Sequence, residues 1–333
     1  MALKRPGRFW LRRRILVTGG AGFIGYALAT RLAAAGAAVY VLDIKPSLPD
    51  FELEKGARKK ITYIRGNVTS KKTLDRILRQ KRIQTVFHLA AEAIVKRAQQ
   101  DPVRALEVNA RGTWVLLESA RHARGVREIV VASSDKAYGS HDKLPYRESA
   151  ALQGLNPYDC SKSCTDLVAQ MYAHAFGMRV AVLRCGNVYG PGDTNWSRLI
   201  PDAHRSASRG HVLDIRSDGT FKRDYIYIDN IVDAYMTLAE GLVKKGLSGE
   251  AFNIGNNKPL RVTDVLQELS RVLPHLKFKI RNTARNEIKD QYLDSSKARR
   301  ILAWRARTPT REGFRKTCDW YTAYFGRKYD TVR

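Results

Sequence analysis

Short apolar runs alternate with helix-period stretches along the first 190 residues. Strands are predicted at Arg14–Thr18 (RILVT), 38–42, 61–65, 85–89, 128–133 and Val180–Cys185. Helical patterns stand between them at 23–35, about 70–80 and about 102–124, and another opens after Asn156-Pro157, where proline suits a first helical turn. Strands separated by helices build right-handed βαβ units, and such units pack into a parallel sheet covered on both faces. The spacing leaves no linker, repeat or low-complexity segment in this part.

The second half is less regular. A helix is predicted to begin within 195–201, Asn253-Ile254-Gly255 reads as a strand end, and Thr263 as the cap of a helix through Leu273. An edge strand at 277–280, a short helix from Ser295 to near Trp304 and a last helix over 310–325 complete the pattern. The expected division is a basic arm at 1–14, a nucleotide-binding domain at 15–190 and a lobe at 191–333 that is mainly substrate-binding. Segments near 224–255 are expected to return to the first domain.

A chain of 333 residues has room for about two domains of ordinary size. Its charge is unusual: 59 Lys and Arg against 32 Asp and Glu leave +27. That excess suits a nucleic acid, an anionic lipid or a phosphorylated small molecule. The cations are spread along the whole chain, so a basic solvated surface is the first reading. Only MALKRPGRFWLRRR is dense, and it is too poor in apolar residues for a secretory signal. No apolar run approaches the ~18 residues of a membrane span, so a cytoplasmic protein is expected. Cys160, Cys164, Cys185 and Cys318 have neither disulfide nor zinc spacing, which predicts buried thiols, a reducing compartment and no metal site.

The candidate chemistry begins at the first strand. Gly19-Gly20-Ala21-Gly22-Phe23-Ile24-Gly25 joins it to the first helix, with glycines at 19, 22 and 25 for a tight turn, a close approach to pyrophosphate and helix-on-strand packing. The helix start offers free N–H groups to phosphates. Asp43 closes the next strand ~20 residues on, where a carboxylate accepts bonds from ribose hydroxyls and repels a 2'-phosphate. NAD is therefore expected over NADP, although Lys45 softens the preference. The fold reads as α/β, a Rossmann-like doubly wound parallel sheet with a smaller C-terminal α/β lobe.

Ligands of such sheets sit at the carboxyl ends of the strands, so Asn67, Val68, Leu89, Ala90, Ala91 and Ser134 are expected to line one crevice. His88 is expected to be a packed residue with satisfied ring nitrogens. Tyr158 and Lys162 lie at i and i+4 on one helix face. A fixed cation beside a phenol favours the phenolate and pulls its pKa towards neutrality, where it can take a proton from an alcohol. Ser134 is placed to hydrogen-bond that alcohol.

The glycine turn, Asp43, His88-Leu89-Ala90-Ala91, Asn109, Ser134 and Tyr158-x-x-x-Lys162 together resemble the extended short-chain dehydrogenase/reductase family, over essentially the whole chain. The resemblance implies an enzyme acting on a nucleotide-activated sugar with NAD, with Ser134, Tyr158 and Lys162 in the roles above and Asn109 at the cofactor. It implies a helix around 195–201 that covers the substrate, substrate contacts from Asn187, Arg198, Leu199 and Arg223, and a homodimer through the 102–124 and 158–176 helices. Asn67 stands where the family usually has an acid facing the adenine.

Ser134-Asp135-Lys136 is similar to the pattern of CDP-glucose 4,6-dehydratases, whereas 4-epimerases carry small or uncharged residues at the last two positions. This predicts a lyase. After oxidation at C4, Lys136 removes the C5 proton and Asp135 protonates the departing C6 hydroxyl. Arg223-Asp224-Tyr225 resembles epimerases more, so the nucleotide base stays open and a 4-epimerase is the alternative. A dinucleotide-fold sensor that holds nucleic acid is the alternative of another class. The intact Ser134, Tyr158 and Lys162 set argues against it.

Overall fold

The computed structural model describes residues 8–284 and 287–330. In its first part, β1 (Arg14–Thr18), α1 (Phe23–Ala34), β2 (Ala38–Asp43), β3 (Ile61–Arg65), α2 (Lys71–Gln80) and β4 (Thr85–His88) follow in order. Then come α3 (Val95–Gln100), α4 (Pro102–Leu106), a π-helical turn (Glu107–Arg111), α5 (Gly112–Arg121), β5 (Glu128–Ser134), α6 (Pro157–Phe176) and β6 (Val180–Cys185). Together with the later β11 (Ala251–Ile254) the strands form one sheet in the order β11-β6-β5-β4-β1-β2-β3. Every pairing in it is parallel. The order reverses between β1 and β4, and the crevice of a doubly wound sheet opens at the carboxyl ends there.

The sheet is buried on both faces because its strands are apolar on both. Ile15 and Val17 point into one core with Phe87, Val130 and Leu183, while Leu16 points into the other with Val86, Val131 and Val182. Each such side chain contributes about 1.5–3 kcal/mol by leaving water. Local signals set the helix starts. The Ser70 hydroxyl accepts from Thr73 N–H at 3.3 Å, and Asp101 caps α4, which has Pro102 at its first position.

The smaller lobe is built from β7 (Asn187–Tyr189), α7 (Leu199–Arg209), β8 (Val212–Ile215), β9 (Lys222–Arg223) and β10 (Tyr225–Tyr227). It continues through α8 (Ile228–Lys244), which packs on the main sheet, and β12 (Leu260–Arg261), α9 (Val262–Val272), β13 (Lys277–Ile280), β14 (Asp290–Gln291), α10 (Ser296–Leu302) and α11 (Thr310–Asp330). β9 lies between β12 and β14, and β13 pairs with β8.

Several expectations are corrected. The 102–124 helix is interrupted by the π turn and ends at Arg121. Thr263 is not a cap: it is the second residue of the helix, which starts after Arg261, whose N–H the Asp264 carboxylate accepts at 2.8 Å. The last helix runs past Phe325 to Asp330. Residues 1–7 of the basic arm lie outside the described residues. From Phe9 on the arm is anchored, because Trp10 is fully buried, donates to Glu240 at 2.9 Å and packs against Phe87. Only Cys185 among the cysteines is buried, and the other three, on α6 and α11, are half-buried. Among the described residues no helix is long and apolar enough to cross a membrane.

Candidate active site

The turn after β1 is shaped for a close-lying ligand. Gly19 has a φ of 70°, and a Cβ there would come within 2.7 Å of Ala90 N; one at Gly25 would come within 2.3 Å of the Gly19 carbonyl oxygen. Gly22 precedes α1 with no side-chain cap, which leaves helix N–H groups open toward the crevice, and half-buried Phe23 and Ile24 form its first turn. Asp43 at the end of β2 accepts from Ala21 N–H at 2.9 Å and from Lys45 N–H at 3.1 Å, so its carboxylate faces the glycine turn. The Lys45 ammonium donates to the Ala21 carbonyl at 2.8 Å. This is a cradle and an acid in the arrangement an adenosine diphosphate requires, and the residues fit NAD.

The strand ends supply the rest of the wall. Asn67 is exposed and its amide oxygen accepts from Thr69 N–H at 3.0 Å, while Val68 next to it is buried. Leu89 N–H donates to the Thr18 carbonyl at 3.1 Å, which fixes the path of Leu89, Ala90 and Ala91 beside Gly19. His88 is buried between the hydroxyls of Thr18 at 2.8 Å and Thr113 at 3.1 Å, and burial pushes its pKa down to about 3. It is a packed, neutral ring.

Asn109 sits in the π turn. Its amide oxygen accepts from Glu92 N–H at 2.7 Å, and its nitrogen donates to the Glu92 carbonyl at 3.2 Å and to Ser161 Oγ at 2.8 Å. The turn frees its backbone carbonyl, which accepts from the hydroxyls of Thr113 and Thr165. Asn109 thus ties the loop after β4 to α5 and α6 and spends its amide on protein partners, unlike the expected contact with the cofactor.

Ser134, Asp135, Lys136, Tyr158 and Lys162 are brought together where β5 meets α6. Ser134 Oγ donates to Asp135 Oδ1 at 3.0 Å and accepts from Lys136 N–H at 3.2 Å, at the start of the 3-10 turn Asp135–Tyr138. Asp135 is 2% exposed, its Oδ2 has no hydrogen-bond partner, and burial raises its pKa against the opposing charge of Lys136. Lys162 Nζ donates to the Ala132 carbonyl at 2.8 Å, and burial lowers its pKa to about 8.

The phenol departs from expectation. Burial raises the Tyr158 pKa, next the Cys185 thiol acts in the same sense, and a hydrogen bond with Ser134 opposes them. The reason is desolvation, which disfavours the phenolate and the ammonium alike, while Lys162, lowered only to about 8, still carries its charge at neutral pH.

Arg198, on the loop before α7, is held by Asp193 at 3.0 Å, lies 5.9 Å from the Phe23 ring centroid and bears on Tyr158. Leu199 opens α7, and half-buried Asn187 starts β7. Arg223 is not an open fork for phosphate: its guanidinium donates to the carbonyls of Lys222, Lys289 and Ile288 at 2.8, 2.7 and 2.6 Å. Two residues of this region went unpredicted. Cys185 is paired in register with Ser134, and burial raises its thiol to about 12. Gln291 reaches in from the smaller lobe to Lys136. No local spacing signals either, because their proximity exists only through the sheet and the second lobe.

The sequence profile of the NAD dependent epimerase/dehydratase family matches residues 15–255. A trifunctional UDP-glucose 4,6-dehydratase/UDP-4-keto-6-deoxy-D-glucose 3,5-epimerase/UDP-4-keto-L-rhamnose-reductase of Arabidopsis thaliana is 30% identical over 321 residues. That match takes in 93% of this chain, which spans about half the length of the plant relative, 47%. The dTDP-D-glucose 4,6-dehydratase of Homo sapiens is 29% identical, over 96% of this chain and 92% of that protein. Among solved structures, dTDP-glucose 4,6-dehydratase of Streptomyces venezuelae with NAD bound superposes with a TM-score of 0.83 at 28% identity, over 94% of this chain and 98% of the other. A UDP-glucose 4-epimerase of Thermotoga maritima with UDP-glucose does so with a TM-score of 0.85 at 29% identity, over 94% and 99%. With a cradle that fits its cofactor and a family match across most of its length, the chain belongs to the NAD dependent epimerase/dehydratase family, whose cofactor is NAD.

Proposed function

We propose that this protein is a nucleotide-sugar 4,6-dehydratase, which converts an NDP-hexose to the NDP-4-keto-6-deoxyhexose. The observation that carries the proposal is Asp135: a buried carboxyl, held beside Ser134 and Lys136, with one oxygen free of protein partners. Burial favours its protonated form, which is what an acid serving a departing hydroxyl requires. The relatives named as dTDP- and UDP-glucose 4,6-dehydratases support the reaction class. The CDP-like Ser134-Asp135-Lys136 pattern is the argument for a cytidine nucleotide.

Bound NAD would supply the hydride acceptor for C4 of the sugar and the hydride donor for C6. Tyr158, once ionised against its burial with the help of the Lys162 charge, accepts the proton of the 4-hydroxyl, and Ser134 hydrogen-bonds the same oxygen. The resulting ketone acidifies C5, whose proton passes to the amine of Lys136. Asp135 gives its proton to the C6 oxygen, and water leaves. Gly19, Gly22, Gly25 and Asp43 hold the cofactor, and Arg198 is the better placed of the two predicted arginines for the substrate's pyrophosphate, since Arg223 is occupied.

A homodimer accompanies this reading. Val103, Leu106 and Trp114 on the helix pair α4 and α5, with Leu167 and Met171 on the adjoining α6, expose apolar surface between 41% and 70%. The second reading is a 4-epimerase, favoured by Arg223-Asp224-Tyr225 and by the similar epimerase structure. Incubation with CDP-, dTDP-, GDP- and UDP-hexoses decides between them. The proposal expects a product lighter by one water from at least one, and conversion only to isomers of equal mass would leave the epimerase.

A further inference from the structure

We infer that Gln291 is a positioning residue for the elimination, reaching from the smaller lobe to orient the amine of Lys136 and the turn that carries Asp135. The inference rests on the dehydratase reading above. Gln291 is completely buried on β14, paired in register with Arg223 of β9. Its amide oxygen accepts from Lys136 Nζ at 3.1 Å, and its amide nitrogen donates to the Asp135 backbone carbonyl at 3.2 Å. Both ends of one side chain are therefore spent on two consecutive residues of the site, more than 150 positions away in sequence.

The pairing fixes which way the amide points. Reversed, its NH2 would face the lysine nitrogen and its oxygen would face a carbonyl, and both contacts would be repulsive. The orientation leaves one acceptor for one N–H of Lys136, so a side chain with four rotatable bonds is held in one direction. That restraint matters because small misplacement of a reacting group costs ~10²-fold in rate.

An amide also differs from the obvious alternative, a carboxylate. Glutamate at 291 would keep the acceptor for Lys136 but would set its other oxygen against the Asp135 carbonyl and bring a full negative charge to the amine. Lys136 already faces the carboxyls of Asp135 and of Asp159 on α6, with the Arg223 cation on the β9 side acting on Asp135. A neutral acceptor steers the amine without adding a third negative charge. Because β14 belongs to the smaller lobe, Lys136 is aimed only when that lobe is docked.

The test compares Gln291→Leu, Gln291→Glu and the double variant with Lys136→Ala in the full chain with NAD, on whichever nucleotide-hexose the wild type dehydrates. For Gln291→Leu, kcat for water loss should fall by ~10²-fold with KM within about threefold, while reduced nicotinamide builds up on the enzyme because oxidation at C4 still runs. For Gln291→Glu, kcat should fall as well, with KM again within about threefold, because the carboxylate opposes the Asp135 carbonyl. On the Lys136→Ala background, Gln291→Leu should cost much less than on the wild type, because only its hold on the Asp135 turn is left to lose. Single variants that dehydrate like the wild type would overturn the inference. So would loss of C4 oxidation together with water loss, or additive losses in the double variant. A wild type that yields only isomers would instead overturn the dehydratase reading, and this role with it.

Discussion

Lys162 donates its ammonium proton to the backbone carbonyl of Ala132 at 2.8 Å, and this bond fastens α6 to the end of β5. It holds Tyr158, one turn earlier on α6, beside Ser134, and it places the charge at the crevice without pairing it to a carboxylate. The lysine is therefore available to whatever anion forms there.

Replacing Lys162 by Met removes that charge and the bond to the strand. Turnover should fall by ~10²–10⁴-fold, the range for loss of acid–base assistance. Tyr158→Phe should fall at least as far while NAD stays bound, because the ring keeps its packing and loses only the hydroxyl. Steady-state rates together with cofactor fluorescence measure both. A Lys162→Met enzyme of wild-type rate would remove the lysine from the chemistry.

Asp135→Asn separates function from stability. The folded-state pKa of Asp135 is raised by burial, so its contribution to stability is fully present below the ordinary carboxylate range, and it is lost as pH rises through the raised value. An amide has no such loss. The variant should unfold at an equal or higher denaturant concentration than the wild type at neutral pH, yet form no dehydrated product. Chemical denaturation at several pH values checks the sign.

His88 gives the opposite slope. Its pKa is depressed by burial from 6.5 to about 3, so the stability it confers is present above about 6.5 and drains away as pH falls towards 3. The loss amounts to on the order of 5 kcal/mol at most. His88→Gln should flatten that part of the stability curve, as followed by denaturant midpoints between pH 3 and pH 7. An unchanged acid slope would show that His88 is not the group responsible.

The exposed apolar face of α4, α5 and α6 predicts its own test. Leu167→Asp places a charge where 56% of a leucine stands open to solvent. It should turn a dimer into a monomer by sedimentation while the far-ultraviolet spectrum stays that of the wild type. A wild-type monomer would contradict the proposed association.

What the sequence revealed was what is local. The glycine turn between β1 and α1, the acid ending β2, and the i, i+4 pairing of Tyr158 with Lys162 are each contained in a few consecutive residues, and the parallel order followed from strands alternating with helices. The doubly buried strands were visible as unbroken apolar runs for the same reason. Properties set by distant partners were hidden. Arg223 looked free for phosphate until the carbonyls of Ile288 and Lys289 occupied it. Asn109 looked like a cofactor contact until Glu92 and Ser161 took its amide. Thr263 had the right chemistry for a cap, but the helix had already begun at Val262, where the Asp264 carboxylate turns back to the Arg261 N–H. The burial that works against the Tyr158 phenolate was hidden too, because the depth of Tyr158 and Lys162 is a tertiary property.

The destination of the hydrogen on C4 of the sugar tests the central claim most directly. A nucleotide-hexose carrying deuterium at C4 is to be incubated with the enzyme, and the label located in the product by magnetic resonance and mass. A dehydratase using Asp135 and Lys136 yields a 4-ketone lighter by one water with the deuterium on C6. Deuterium retained on C4 of an isomer of unchanged mass would contradict the account.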